Sequence, residues 1–223
     1  MSRDATDELI VALAQGVRPV TPVRSLRCQV AAVAAVSLAL SLALVGERGL
    51  RPPGPELLLG PTPFALMALG LALAGLGAVT AALALARPGR ERTGWSAVTV
   101  AVLGLFGAVG TASLALVASP PGSEAVWGGL VEVPCVVFSL ILSLPAALFV
   151  TYLAARAAPL RPGATAFFAA SGATALGTLA AHLICRTPGA WHVVTTHAAT
   201  PLLGGLLMTT PALRLLRNWA WRA

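Results

Sequence analysis

The sequence predicts an all-α fold: a polytopic membrane bundle of six transmembrane helices, with N- and C-termini cytoplasmic and a short amphipathic N-terminal helix. Three observations predict it. The 223 residues are 57% hydrophobic and only 10% charged, whereas soluble domains are about 45–50% apolar and about 25% charged. Charged residues are absent from six long intervals. The charges that remain are placed asymmetrically along the chain. A mean hydropathy of +0.84 leaves too little polar surface for a soluble enzyme, a disordered tail or a disulfide-dense secreted module.

The intervals free of charge hold 19, 30, 31, 23, 24 and 27 residues. A spanning helix needs about 20 apolar residues to cross about 30 Å of hydrocarbon. The expected spans are 28–45, 63–86, 95–117, 131–153, 163–184 and 193–213. Backbone groups in lipid must bond internally, which favours helices at these lengths, and the alternation of a membrane barrel is absent. The first span follows Arg24 and Arg27 and could be read as a cleavable signal. Its 27-residue polar lead is long for that role, and five spans follow, so it reads as a signal anchor. The chain then divides into a cytoplasmic arm (1–27), a six-helix membrane domain (28–213) and a cytoplasmic tail (214–223).

Orientation follows from arginine, the only basic residue type apart from histidine. Arg3, Arg18, Arg24, Arg27, Arg87, Arg90, Arg92, Arg156, Arg161, Arg214, Arg217 and Arg222 fall on one side of the six spans. Only Arg48, Arg51 and Arg186 fall on the other. The positive-inside rule places the twelve in the cytoplasm. This accounts for the net charge of +7 without nucleic acid. Trp95, Trp191, Trp219 and Trp221 stand at span ends, as interfacial aromatics do. Small residues recur within spans, at Gly70, Ala74 and Gly77, at Gly104, Gly107 and Gly110, at Ala173 and Gly177, and at Gly204 and Gly205. Such faces let helices approach closely in lipid. Pro145 and Pro201 are expected to interrupt the fourth and sixth spans, with Ser139 and Ser143 partly satisfying the freed backbone groups.

The arm holds a short amphipathic helix. Thr6 or Asp7 can cap it, and Asp7 and Glu8 suit its N-terminal turn. Leu9, Ile10 and Leu13 share one face, and Pro19 and Pro22 end the pattern. So short a helix is marginal alone in water. A groove on a partner protein or the membrane surface would cover it. The acidic pair favours the protein.

Three cysteines and three histidines are the other informative residues. Spans four and five form an antiparallel hairpin that brings Cys135 and Cys185 to similar depth at the outer face, offset by about 6 Å of helical rise. His182 and Cys185, three apart, share a helix face, as do Glu132 and Cys135. His192 begins the sixth span and His197 lies about one turn deeper. A disulfide, a metal held by thiolates and imidazoles, or plain helix packing each fits. Cys28, at the inner end of the first span, reads as inert. No charge lies deep in a span, as ion pumps and channels require. No phosphate loop, nucleophile elbow or carboxylate pair is present, so neither enzyme activity nor a cofactor is expected.

The whole chain resembles the NrsF-type integral-membrane anti-sigma factors. The resemblance rests on three stretches. The first is the acidic lead Asp4-Ala-Thr-Asp-Glu-Leu-Ile with the tether Val17-Arg-Pro-Val-Thr-Pro-Val-Arg24. The second is Pro134-Cys-Val-Val-Phe-Ser-Leu-Ile-Leu-Ser-Leu-Pro145. The third is His182-Leu-Ile-Cys185 followed by Trp191-His192 and His197-Ala-Ala-Thr-Pro201. The family commonly has histidine adjacent to the second cysteine. Here Ile184 stands there and a histidine lies three residues earlier. The resemblance implies a protein of the bacterial inner membrane that holds an extracytoplasmic-function sigma factor away from RNA polymerase until an oxidative, light or metal signal arrives. It implies that Asp7, Glu8, Leu9, Ile10, Leu13 and Arg18 belong to the partner-binding arm, and that Cys135 and Cys185 take part in sensing. His182, His192, His197 and Glu132 are the possible metal ligands. The partners are then the sigma factor and the lipid bilayer, with no direct contact to nucleic acid. A small transporter or channel-like protein, and a membrane redox or haem-binding subunit, are the rival readings.

Overall fold

The structure is a computed structural model, and it describes residues 3–15, 23–118, 133–157, 159–187 and 189–220. All regular elements among these are helical. They are α1 (Arg3–Gln15), α2 (Leu26–Arg48), α3 (Pro63–Leu85), α4 (Glu91–Val117), α5 (Val133–Ala155), α6 (Pro162–Ile184), the single turn α7 (Ala190–His192), a π-helical segment (Val193–Ala198) and α8 (Thr200–Ala220). A short 3₁₀ turn, Pro55–Leu58, lies in the α2–α3 connection.

Five helices, α2 to α6, are long and apolar enough to cross a membrane. The sixth expected span, 193–213, is divided. Its first residues form the π segment and the rest belong to α8, which runs on through Arg214 and Arg217. Its apolar residues therefore do not fall within one regular helix. The division falls at Ala199, immediately before Thr200 and Pro201, where the interruption was expected. Pro201 sits in the first turn of α8, where a missing N–H costs nothing. The proline inside α8 is Pro211, and Pro145 lies inside α5, which continues through it to Ala155 instead of being interrupted.

Helices α3 and α6 form the centre. In their most apolar stretches 67% of residues are buried, against 17% in α2 and 22% in α4. The chain sets α3 between α4 and α6, and packs α6 also on α5 and α8. Small residues permit this. A Cβ on Gly104 would stand 2.5 Å from the Ala74 backbone nitrogen, and one on Gly70 would stand 2.8 Å from that of Ala108. Between α5 and α6, a Cβ on Gly177 would stand 2.6 Å from the Ser139 carbonyl oxygen. Gly107 and Gly110 face open space, so the contact face of α4 is narrower than the sequence spacing suggested. Val79, Leu83, Val150 and Leu216 fill the core at one end, and Met67 and Leu71 fill it at the other.

The helix ends gather the arginines. At one end Arg24 and Arg156 line a common cavity, and the Arg161 guanidinium stacks over Trp95. There Arg87 donates from Nη2 to the Arg24 carbonyl (2.8 Å) and to Gln29 Oε1. Burial, and then the charge of Arg90, push the Arg87 guanidinium below its ordinary pKa. At the opposite end Arg186 donates to the Arg48 carbonyl (2.9 Å), and the Arg51 amide donates to the Leu183 carbonyl (2.9 Å). The latter bond ties the α2–α3 connection to the end of α6.

Helix α1 already includes Arg3, so Thr6 and Asp7 lie inside it and do not cap it. Leu9, Ile10, Val11 and Leu13 are 51–65% exposed. The apolar face read from the sequence is there, and the described residues do not cover it.

Candidate functional site

At the Arg48–Arg51–Arg186 end, three elements deliver one polar side chain each to a common point. Helix α5 presents Cys135 in its first turn, half-buried. Helix α6 stops at Ile184 because Cys185 turns out of helical geometry (φ −66°, ψ 121°), which sends its side chain inward to 7% exposure. The short turn α7 then brings back His192, which is fully buried. Cys185 Sγ lies 3.3 Å from His192 Nε2. The two sulfurs and an imidazole nitrogen all lie within 4.8 Å of one another. Neither cysteine is in a disulfide.

The π segment orients the imidazole. Ala199 N–H bonds the Val194 carbonyl five residues back (3.2 Å), the closure that defines a π turn. In an α-helix, residues five apart point about 140° away from each other, at about 100° per residue. The wider turn brings His192 and His197 to the same side, with ring centroids 5.1 Å apart. His192 Nδ1 lies 3.3 Å from Thr196 Oγ1. The hydroxyl of Thr200 donates to the Thr196 carbonyl. His197 in turn lies 5.3 Å from His182, whose ring stacks on Phe64 at 4.5 Å and whose Nε2 faces the Phe64 carbonyl at 3.4 Å. The three histidines form a buried row across the bundle, and all are at most 1% exposed. Neither ring nitrogen of His197 has a hydrogen-bond partner among the described residues.

One cavity opens beside the two cysteines and another beside His182. The larger, of about 740 Å³, is lined by Glu47, Arg48, Cys135, Phe138, Cys185 and Arg186. The smaller, of about 310 Å³, is lined by Arg51, Phe64, Met67, His182 and Val193 among others. Below Cys135, Ser139 donates to the Cys135 carbonyl (2.9 Å) and Ser143 to that of Leu140 (2.6 Å). These serines were expected to relieve Pro145, whose missing N–H leaves the Ile141 carbonyl. Instead both bond carbonyls that precede Ile141 in the helix.

The cysteine pair read from the sequence thus meets in space. The expected sharing of a face by His182 and Cys185 does not hold, because the helix ends between them. His182 turns to Phe64, and His192 meets the thiol. Glu132 and Arg18 lie outside the described residues, while Asp7, Glu8, Leu9, Ile10 and Leu13 are all exposed on α1. Cys28 is exposed and lines a separate cavity with Arg24, Gln29 and Arg156. The sequence signal that could have found His192 was its position just after the break between α6 and α7. Gly189, at φ +120°, lies in that break and lets the chain reverse there.

Residues 13–219 match the NrsF family, described as Negative regulator of sigma F. The chain belongs to the NrsF family. The match covers every apolar helix, the Cys135–Cys185–His192 cluster and the last residue of the exposed face of α1, Leu13. No curated protein and no solved structure matches the chain. NrsF proteins are regulators, anti-sigma factors by description, and the sigma factor is the partner that description names.

Proposed function

We propose that this NrsF protein is an anti-sigma factor of the bacterial inner membrane. It holds an extracytoplasmic-function sigma factor through its cytoplasmic arm and releases it on an oxidative, light or metal signal received at the opposite face. Both termini lie in the cytoplasm, with α8 as the sixth span entered through the π segment. The arginine-rich end then faces inward, and the Cys135–Cys185 pair faces the periplasm.

The observation that carries this reading is the uncovered apolar face of α1. Burying each of Leu9, Ile10 and Leu13 on a partner contributes about 1.5–3 kcal/mol, which is enough for a helix-in-groove complex. Asp7 and Glu8 add a negative rim that suits a basic groove. Arg18, in the tether, belongs to the same partner-binding arm. Two features support a link between the ends of the molecule. Arg87 grips the tether at Arg24 and the base of α2 at Gln29, and α6 runs from that end to Cys185. The signal shifts the balance between a sigma-binding and a releasing arrangement of the bundle.

Copurification tests the arm. Leu9→Asp or Leu13→Asp each places a charge at the centre of the apolar face. A loss of about 2 kcal/mol, typical of an interface anchor, weakens the complex about 30-fold. Undiminished complex removes the arm from sigma binding. A Cys135→Ser, Cys185→Ser double variant that still releases the sigma factor normally removes the thiols from sensing.

A further inference from the structure

We propose that Cys135, Cys185 and His192 form a three-ligand site for a divalent d¹⁰ cation of the zinc class, with a fourth coordination position open to the outer cavity. This deepens the reading of the cysteine pair as a sensing element and says what occupies it.

Two thiolates and one imidazole are the ligands that zinc-class ions prefer, and three protein ligands with an open fourth position are a known arrangement. The three donor atoms lie within 4.8 Å of one another. An ion with bonds of about 2.3 Å to each sulfur would draw the sulfurs to about 3.8 Å in tetrahedral geometry. The contraction needed is about 1 Å or less, a matter of side-chain rotation at a helix first turn and at a residue already out of its helix.

The second observation is the orientation of the imidazole. His192 Nε2 faces Cys185 Sγ, while Nδ1 faces Thr196 Oγ1 at 3.3 Å. A ligating histidine commonly gives its other N–H to an oxygen, which fixes the ring and its tautomer. Thr196 is placed by the π segment to accept that N–H, and Nε2 is left to the ion. The third observation is charge. Two thiolates, one neutral imidazole and a divalent ion sum to zero, which suits a site where Cys185 and His192 are buried at the end of an apolar bundle. A monovalent ion would leave a net negative charge. Binding releases two thiol protons to solvent. The open position faces the cavity of about 740 Å³, which Glu47, Arg48 and Arg186 also line.

The test uses the full-length protein, reduced and purified in detergent, with Zn²⁺ and Co²⁺ as probes. One Co²⁺ per chain, with a thiolate-to-cobalt charge-transfer band in the near ultraviolet, is expected. Zn²⁺ should displace the Co²⁺, slow alkylation of Cys135 by N-ethylmaleimide at least tenfold, and leave exposed Cys28 unaffected. This protection is read on the unaltered chain and does not depend on a variant folding. Cys28→Ser keeps the band, Cys185→Ser abolishes it, and His192→Gln weakens Co²⁺ binding at least tenfold. No band, no protection of Cys135, or a His192→Gln protein that binds as the unaltered one overturns the site. Copurification with the sigma factor, and its release by a thiol oxidant, are read separately. A chain that binds no ion but still releases on oxidation loses this inference and keeps the sensing role.

Discussion

At the scale of single residues, two side chains connect parts of the chain that are far apart in sequence. His192 reaches Cys185 seven positions earlier and Cys135 fifty-seven positions earlier. Arg87 reaches Arg24 and Gln29 across the whole of α2. Hydrogen bonds from a charged donor contribute about 1.5–3 kcal/mol each, discounted here because Arg87 is partly open to solvent. Arg87→Ala should loosen the tether more than the bundle. Limited trypsin digestion checks this: cleavage at Arg24 and Arg27 should speed several-fold while the melting temperature moves by only a few degrees. Equal rates in both proteins would remove Arg87 as the anchor of the arm. Of these residues, the sequence named the cysteines and the histidines, but it could not choose among the histidines. His182 is three residues from Cys185 and His192 is seven. The nearer one loses because the helix ends at Ile184 and Cys185 turns away from it.

At the scale of elements, α1 and the π segment carry the functional argument. Helix α1 was legible because its apolar residues repeat at helical spacing between an acidic start and two prolines. That it already includes Arg3 was not legible, because Thr6 and Asp7 serve equally well as caps or as residues within the helix. The π segment left no sequence signal at all. One extra residue in a turn changes no composition and little hydropathy, yet it decides which face His192 occupies. Deleting half-buried Val194 should restore regular α-helical closure and rotate His192 by about 100° relative to α8. The helical circular dichroism should hold, Zn²⁺ protection of Cys135 should disappear, and copurification with the sigma factor should remain. Protection that survives the deletion would mean that the π turn is not what orients the imidazole.

At the scale of the whole molecule, close helix approach holds α3 between α4 and α6. Gly104→Leu puts a side chain against the Ala74 backbone at a point where a Cβ alone would stand 2.5 Å away. Overpacking costs about 1–3 kcal/mol where neighbours can shift, and more is expected where the obstacle is backbone. The same change at Gly107, which meets nothing within 4 Å, should cost little. Thermal unfolding in detergent separates the two; equal losses would mean that the α3–α4 interface is not as close as described. Orientation is checked with the native cysteines. A membrane-impermeant maleimide on intact cells should label Cys135 in preference to Cys28, and the reverse preference would invert the proposed topology.

Charge-free length and arginine placement were enough to read five long apolar helices and the two charged ends, because the lipid environment constrains composition over about 20 residues at a time. The same physics explains why the sixth expected span was read as one piece. Hydropathy averages over a window and is blind to a local change of helical pitch. Only the tertiary structure decided which residues meet: Cys135 with Cys185 and His192, His182 with Phe64, Gly104 with Ala74, and Arg87 with Arg24. Those choices depend on where each helix stops and how it turns, which a few backbone dihedrals set at Cys185, at Gly189 and in the π segment. Contacts among buried polar groups are settled to within a few ångströms, a finer scale than any pattern of apolar residues can fix.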